Sequence, residues 1–304
     1  MPTLKETVAK LKAEQEKLAA RVSLVCDWLP DAEVPAPDAE TRDSAALPID
    51  FVAGCDVTFL DVWKTPTTAL ACVKLVKFPQ MEVVDEAVAI REVTFPYVPG
   101  LLAYRELPVL LSAYLKLPRQ YRRAGKLPKA VIAQAQGEDA QAQQSQGTGE
   151  LRTAFIVDGQ GIAHYRRMGI ASHFGLLTDE VSIGCAKSRL VGRFTMPSAP
   201  EADLHPPQAG KPLTPDTCIT GEAATESALM DAKTGDRLGT VLRVRALQKR
   251  APASERNLLF ISPGHRVDFA VATAIVRACL TRYIQPEPTR LAHNRLQELR
   301  RGML

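Results

Sequence analysis

The chain has 304 residues, which permits one large domain or two small ones. Hydrophobic residues make up 46% of it and charged residues 24%, the balance of a soluble globular protein with a real core. The net charge of +4 is compatible with a polyanionic partner but does not require one.

The cysteines and the first residues bear on cellular context. No two of the six cysteines are spaced as C-x-x-C, so a zinc ribbon or a thioredoxin-type site is not indicated. Scattered cysteines in a chain of this length are typical of reduced, buried thiols in the cytoplasm. The first 25 residues carry many charges and no apolar run, and no apolar stretch reaches transmembrane length. We therefore expect a cytoplasmic protein without a signal peptide or membrane segment.

The N-terminal region predicts a helix followed by a linker. Thr3 and Glu6 fit a capping box, and apolar residues then recur at helical spacing. A helix packed on the main domain is favoured over a coiled-coil arm, because Gln15 interrupts a short apolar stripe. Residues 31–47 are rich in Pro, Ala and Asp. We interpret residues 1–47 as this helix and linker, and residues 48–304 as the main domain.

Beyond residue 48 the pattern predicts a meander of strands and then alternating helices and strands. The predicted strands cover residues 51–59, 68–78, 81–95, 153–157, 181–185, 237–245 and 257–262. The predicted helices cover residues 101–117, 163–177 and 267–283. Insertions are predicted near residues 133–150, which are rich in Gln, and 196–216, which are rich in Pro. This order predicts an α/β fold with a central mixed β-sheet flanked by helices, and by analogy a ribonuclease H-like fold.

Three carboxylates occupy positions that suggest a metal site. Asp56 lies on the first strand two residues after Gly54, Glu106 lies early in the first core helix, and Asp158 ends a buried strand. Each alone is more typical of a turn or a helix cap. In the predicted fold the three converge, and converging carboxylates repel one another unless a cation lies between them. Oxygen ligands favour Mg²⁺ or Mn²⁺.

Other polar residues surround these acids in the predicted fold. Asp158 opens a glycine-rich turn through Gly161 that lacks the spacing of a dinucleotide or phosphate loop, so a nucleotide cofactor is not indicated. Lys187 follows an apolar strand, where a cation could hold a phosphate. His164, His173 and His265 are each more typical of a hydrogen-bonded core histidine than of a catalytic one. Of the three, His265 is the best candidate for a catalytic role. Tyr97 lies in a stiff proline turn and is either a loop anchor or a wedge for a base stack.

Several segments resemble the endonuclease V family in that family's own order. They cover much of residues 50 to 300. The segments are Ala53–Phe59, Phe95–Glu106, Val157–His164, Ala171–His173, Ile183–Leu190, Ile261–His265 and Pro286–His293.

The resemblance implies a ribonuclease H-like, Mg²⁺-dependent nuclease, with Mn²⁺ as a substitute, that acts as a monomer in DNA repair. Its implied substrate is DNA with deoxyinosine, with single-stranded DNA or inosine-containing RNA as alternatives. Cleavage is implied at the second phosphodiester bond 3′ to the lesion, leaving 3′-hydroxyl and 5′-phosphate ends.

The resemblance also implies roles for individual residues. Asp56, Glu106 and Asp158 would ligate the metal, and His265 would lie close to the metal centre. The implied substrate contacts are the wedge Tyr97, the pocket residues Leu102, Gly159 and His164, and the cations Arg105 and Lys187, of which Lys187 would lie at the cleaved phosphate.

Some features depart from the family pattern and leave alternatives open. Cys185 stands where valine is common, residues 151–153 lack a common Pro-Asp pair, and both insertions are extra. Another ribonuclease H-like nuclease, of the junction-resolvase or transposon type, remains open, although the Tyr97 turn argues against it. A non-catalytic inosine-binding protein also remains open, although the intact Asp56, Glu106 and Asp158 argue against it.

Overall fold

The computed structural model describes residues 3–26, 28, 47–123, 151–195, 224–244 and 257–303. The predicted insertions at 133–150 and 196–216 lie outside the described residues, as does all but the last residue of the predicted linker.

One mixed sheet of eight strands runs through the described part of the chain. The strands are β1 (Phe51–Phe59), β2 (Thr67–Lys77), β3 (Glu82–Val93), β4 (Thr153–Val157), β5 (Val181–Ala186), β6 (Ala224–Met230), β7 (Arg237–Val244) and β8 (Leu258–His265). Their order across the sheet is β3-β2-β1-β4-β5-β8-β7-β6. The first three form an antiparallel meander, and β1, β4 and β5 are parallel neighbours. This is the predicted α/β architecture, and it brings the carboxyl ends of β1, β4 and β5 to one edge.

The second half of the sheet differs from the prediction in two places. Strand β6 was not predicted, since Ala224–Met230 shows no clean alternation of apolar residues. Strand β8 continues through Pro263 to His265, where the sequence suggested a loop. A register shift where β8 pairs with Ser182 and Ile183 accommodates the proline, which cannot donate a ladder hydrogen bond.

The described residues contain five α-helices and one short 3-10 helix, Arg119–Tyr121. The α-helices are α1 (Leu4–Ala19), α2 (Ala103–Lys116), α3 (Ile170–Thr178), α4 (Phe269–Ala278) and α5 (Glu287–Met303). The predicted helix over 163–177 was wrong in its first half, because Gly169 is the N-cap and α3 begins at Ile170. Helix α5 was not predicted. Helices α2 and α3 share one apolar cluster with the sheet, whereas α4 shares another.

Helix α5 lies directly on strand β1, and this contact depends on a glycine. A Cβ atom at Gly54 would stand 2.0 Å from the carbonyl carbon of Pro288, at the start of α5. Because side chains alternate along a strand, Asp56 points to the same side of β1 as this contact. The glycine therefore lets α5 approach the strand that carries Asp56.

Helix α1 packs against the main body, as predicted. The Thr3 capping box is present, and the fully buried Gln15 donates from Nε2 to the Met168 carbonyl at 3.2 Å. The Tyr104 hydroxyl donates to the Leu11 carbonyl at 3.1 Å. A polar residue in the stripe is thus the main anchor of the helix. The domain boundary at residue 47 stays a prediction.

The described cysteines are all buried: Cys26, Cys55, Cys72, Cys185 and Cys279. No helix in the described ranges is both long and apolar enough to span a bilayer.

Candidate active site

An acidic cluster forms between the second half of β1, which carries Asp56, and the end of β4, which Asp158 follows. Asp56, Asp158 and His293 each offer one ligand atom, and these atoms lie within 4.8 Å of one another. Strands β1 and β4 are parallel neighbours, and the Asp158 amide donates to the Cys55 carbonyl at 2.9 Å. Adjacent parallel strands thus deliver two carboxylates to one point, as the sequence predicted.

Glu106 adds a third carboxylate from the first turn of α2. Burial raises the pKa of Glu106 to about 8, and the negative charges of Asp56 and Asp158 contribute to the rise. Burial and the charge of Asp56 also raise the pKa of Asp158. The acids are therefore close enough to disfavour one another's ionisation.

The donor set fits a hard divalent cation. Carboxylate oxygens and one imidazole nitrogen suit Mg²⁺ or Mn²⁺ better than a soft metal, since no thiolate is among the clustered ligand atoms of the described residues. A bound cation would also relieve the repulsion that raises the pKa values of Glu106 and Asp158. The arrangement can hold a metal.

His293 is the site residue that sequence reasoning missed. Its Nδ1 lies 2.8 Å from Asp56 Oδ2, and this hydrogen bond raises the pKa of His293. The residue lies on α5, the unpredicted helix, although it ends the segment Pro286–His293 that resembles the family. The place of His293 at the end of that segment was the sequence signal that could have identified it.

An ion pair holds Lys187 at the acidic cluster. It follows β5, and its Nζ lies 2.9 Å from Asp158 Oδ2. Gln285 Nε2 donates to the same oxygen at 3.3 Å. The predicted cation and the predicted acid are thus direct partners.

Replacing Lys187 with Met should lower cleavage about 10- to 100-fold, because it removes a charge-assisted contact to Asp158 and a candidate phosphate ligand. Lys187→Arg should retain part of the activity, since it keeps the charge. Single-turnover cleavage measures both. An unchanged rate in Lys187→Met would mean that the ammonium group only neutralises Asp158.

The pKa of Glu106 predicts how stability depends on pH without metal. The carboxyl keeps its proton in the folded state up to about pH 8 but loses it near pH 4.5 when unfolded. The folded state thus binds more protons in this window, so stability falls as pH rises through it. In EDTA, Glu106→Gln should exceed the wild type in melting temperature by a margin that grows from pH 5 to 8. A margin that does not change with pH would contradict this.

The glycine turn after Asp158 is built by backbone packing. Gly159 has φ +150°, and a Cβ on Gly161 would lie 2.1 Å from the Pro263 carbonyl oxygen. The Gly161 amide donates to the buried Ser262 Oγ at 2.8 Å. Both glycines are therefore required by packing within the protein, since a side chain at either position would collide with Ile170 or with the Pro263 backbone.

A second loop, at Gly100, meets the segment that follows this turn. Arg166 Nη2 donates to the Gly100 carbonyl at 2.7 Å, and its Nε donates to Gln15 Oε1 at 2.6 Å. His164 is buried, which lowers its pKa to about 4, and it also hydrogen-bonds the Gly100 backbone. The two loops predicted to form a base pocket are thus tied together, and α1 supports the link.

The remaining predicted substrate residues divide into exposed and buried groups. Tyr97 is 38% exposed near Gly100, as a wedge requires, and Leu102 lines a cleft with Glu106. Arg105 is fully buried, and its guanidinium donates to the Val62 and Lys64 carbonyls at 2.6 and 3.3 Å. Arg105 therefore positions the loop between β1 and β2 and is not open to a ligand.

His265 does not lie with the acids, contrary to the expectation. It pairs with Ser182 near the start of β5, whereas Asp158 and Lys187 lie beyond the ends of β4 and β5. Its Nδ1 accepts from the Ser23 amide at 3.1 Å, and its Nε2 lies 3.6 Å from Asp179. The antiparallel direction of β8 carries His265 to the opposite edge, whereas Ser262 of the same segment supports the glycine turn.

Comparisons with known proteins find endonuclease V both by sequence and by structure. The family model for endonuclease V matches residues 36–143 and 140–294. Endonuclease V from Roseiflexus sp. is 37% identical over 245 residues, covering 81% of this chain and 80% of that one. The crystal structure of endonuclease V from Streptomyces avermitilis has a TM-score of 0.63 at 28% identity, covering 97% of this chain and 94% of that one. Ciona intestinalis endonuclease V, in complex with a 24mer DNA containing an inosine followed by a ribo-adenosine, has a TM-score of 0.59 at 19% identity, covering 98% of this chain and 100% of that one.

The strand order, the acids carried by β1 and β4 and the likeness to solved endonuclease V structures define an α/β protein of the ribonuclease H-like class. The chain belongs to the endonuclease V family, a family of nucleases.

Proposed function

We propose that this protein is a Mg²⁺-dependent endonuclease, active also with Mn²⁺, that cuts DNA beside deoxyinosine. The cut falls at the second phosphodiester bond 3′ to the lesion and leaves 3′-hydroxyl and 5′-phosphate ends. The protein acts as a monomer in DNA repair, in the cytoplasm. The observation that carries the proposal is the cluster of Asp56, Asp158 and His293 within 4.8 Å, next to Glu106.

The neighbouring loops support recognition of an extruded purine. The turn at Gly159 is partly exposed and His164 is neutral, so these groups can read a base by hydrogen bonds without a charge. Tyr97 stands exposed beside the pocket and fills the gap left by the base. The Ciona relative, which shares the fold, was solved with inosine-containing DNA.

The acidic cluster supports phosphodiester hydrolysis. Asp56, Asp158, Glu106 and His293 would hold Mg²⁺, which when bound supplies charge to the phosphate oxygens and lowers the pKa of water. Asp56 keeps its orientation by accepting from the Val57 amide at 2.8 Å and by pairing with His293. Lys187 holds Asp158 in place and offers a positive charge on the same side.

The test is a cleavage assay with end-labelled strands that carry one deoxyinosine, one inosine or an unmodified adenine. With Mg²⁺ we expect one nick, one nucleotide beyond the lesion, and the fastest strand names the natural substrate among duplex DNA, single-stranded DNA and RNA. Cutting that ignores inosine would instead support a junction-resolvase or transposon type of nuclease. Tight inosine-dependent binding without a cut would indicate a reader without catalysis.

Replacing Tyr97 with Ala should weaken selection of inosine over adenine by about 10-fold or more, because a wedge acts on the base stack. Cation binding should change little, since Tyr97 is not among the clustered ligands. The ratio of inosine to adenine cleavage rates measures the effect. An unchanged ratio would remove Tyr97 from recognition and leave it a loop anchor.

A further inference from the structure

The loop between β1 and β2 presents a tryptophan that none of the roles above uses. Trp63 is 75% exposed, and its ring contacts the Tyr97 ring edge-on at a centroid distance of 4.9 Å. Two touching, exposed aromatic rings form an apolar patch, which on a protein surface commonly marks a binding site. The patch adjoins the proposed wedge and leaves the Trp63 ring largely open to solvent.

Trp63 lines a cleft that reaches Glu106, the member of the acidic site that comes from α2. The cleft encloses about 580 Å³, and its walls include Trp63, Val62, Leu102, Glu106 and Arg300. This volume lies within the usual range of small-ligand sites, about 300 to 1,000 Å³. An aromatic ring and the Glu106 carboxylate therefore face one continuous space.

The loop is fixed by buried groups. Fully buried Arg105 donates to the carbonyls on either side of Trp63, and its guanidinium lies over the Phe59 ring at 4.7 Å. The Trp63 amide donates to Asp61 Oδ1 at 3.0 Å. Burying a guanidinium is costly, and this burial lowers the pKa of Arg105. Here the buried cation holds an exposed aromatic residue in a fixed place.

The charges in the cleft suit a nucleotide. Arg300 lines the cleft and is half-buried; its Nη2 donates to the Leu60 carbonyl at 3.2 Å, and its Nε is buried without a partner among the described residues. Asp61 and Glu106 are the acidic residues of the lining, but the Asp61 carboxylate already pairs with Lys64 at 3.4 Å and accepts from the Trp63 amide, and Glu106 is one of the proposed metal ligands. A guanidinium for phosphate and an aromatic face for a base are the elements of a single-strand binding site.

We propose that Trp63 is a base-stacking residue that receives an unpaired nucleotide of the substrate strand, distinct from the extruded purine. This nucleotide lies in the cleft, with its base on the Trp63 ring and its phosphate toward Arg300. The proposal rests on the proposed function only in taking a nucleic acid as the substrate. It assigns the cleft beside Glu106 to the strand that flanks the lesion.

The first experiment measures binding of a labelled single strand without inosine, in EDTA, so that neither lesion recognition nor cleavage contributes. Trp63→Ala should raise the Kd about 5- to 100-fold, whereas Trp63→Phe, which keeps an aromatic face, should stay within about threefold. Trp63→Leu keeps apolar bulk and should behave like Trp63→Ala. Ile90→Ala, an exposed apolar truncation on β3, is the matched control and should bind like the wild type.

Fluorescence reports the stacking directly, because the chain has only two tryptophans. In a Trp28→Phe background, emission from Trp63 should be quenched when the strand binds. Abasic substitution at successive positions 3′ of an inosine should slow cleavage by the wild type at one position, and Trp63→Ala should be insensitive there. That position identifies the stacked nucleotide.

Binding by Trp63→Ala or Trp63→Leu within about twofold of the wild type would overturn the proposal, as would saturating binding without quenching. Equal losses in Ile90→Ala and Trp63→Ala would also overturn it. The experiment distinguishes failure of this proposal from failure of the proposed function. If the wild type does not prefer inosine strands, the unmodified strand still decides the role of Trp63.

Discussion

Replacing Asp158 with Asn is expected to lower cleavage at least about 1,000-fold while raising the melting temperature of the metal-free protein. The loss follows because a bound cation supplies several kcal/mol to the transition state, and about 1.4 kcal/mol is a tenfold change in rate. The gain in stability follows because burial and the charge of Asp56 raise the pKa of Asp158, so its carboxylate is disfavoured in the folded state. Asn keeps the shape and removes the charge.

Cleavage with Mg²⁺ and thermal unfolding in EDTA measure the two effects on one sample. Isothermal titration with Mn²⁺ should show weaker binding to the variant. The control is Glu298→Gln, which neutralises a largely exposed acid on α5 and should change neither property. A variant that cuts within about tenfold of the wild type would place the metal elsewhere.

Replacing Gly54 with Ala should damage both the fold and the active site. The new Cβ would lie 2.0 Å from the Pro288 carbonyl carbon and 2.3 Å from the Thr289 nitrogen, both of them backbone atoms that no side-chain rotation can clear. Helix α5 must then move away from β1, and the 2.8 Å contact between His293 and Asp56 moves with it. Overpacking of this kind costs about 1 to 3 kcal/mol or more, which corresponds to about 2 to 4 °C in melting temperature per kcal/mol.

The effect on cleavage separates displacement of α5 from simple loss of stability. At a temperature where Gly54→Ala is fully folded, cleavage should still fall more than about 10-fold, because His293 is misplaced. Gly302→Ala is the matched control, since the same substitution near the end of the same helix meets nothing within 4 Å. Full activity in folded Gly54→Ala would mean that α5 can shift without disturbing the site.

The early strands and the acids could be predicted because local pattern and position coincide. Buried strands such as Thr153–Val157 are continuous apolar runs, and an acid directly after such a run lies at the sheet edge. Asp56 and Asp158 then meet because their strands are parallel neighbours. The apolar pattern of the strands and the parallel pairing of β1 with β4 lead to the same conclusion, so the meeting of Asp56 and Asp158 could be predicted without knowledge of side-chain packing.

Helix α5 and His293 could not be predicted in the same way. The helix carries many charged residues, and its few apolar ones, including Leu291, Ala292 and Leu296, have the right spacing but are hidden among arginines and glutamates. What places His293 is the contact at Gly54, which joins distant parts of the chain. The error over His265 has the same origin, since strand direction, rather than a motif, decides which edge a residue reaches.

The contact between His293 and Asp56 joins residues 237 positions apart, the imidazole coming from the last helix of the described chain and the carboxylate from its first strand. During synthesis the N-terminal parts of a chain emerge and begin to fold first. A nascent chain that has not yet reached α5 therefore has Asp56 uncovered and lacks the imidazole. Chains that end before α5 should accordingly lack nuclease activity, because the cluster of Asp56, Asp158 and His293 is incomplete without that helix.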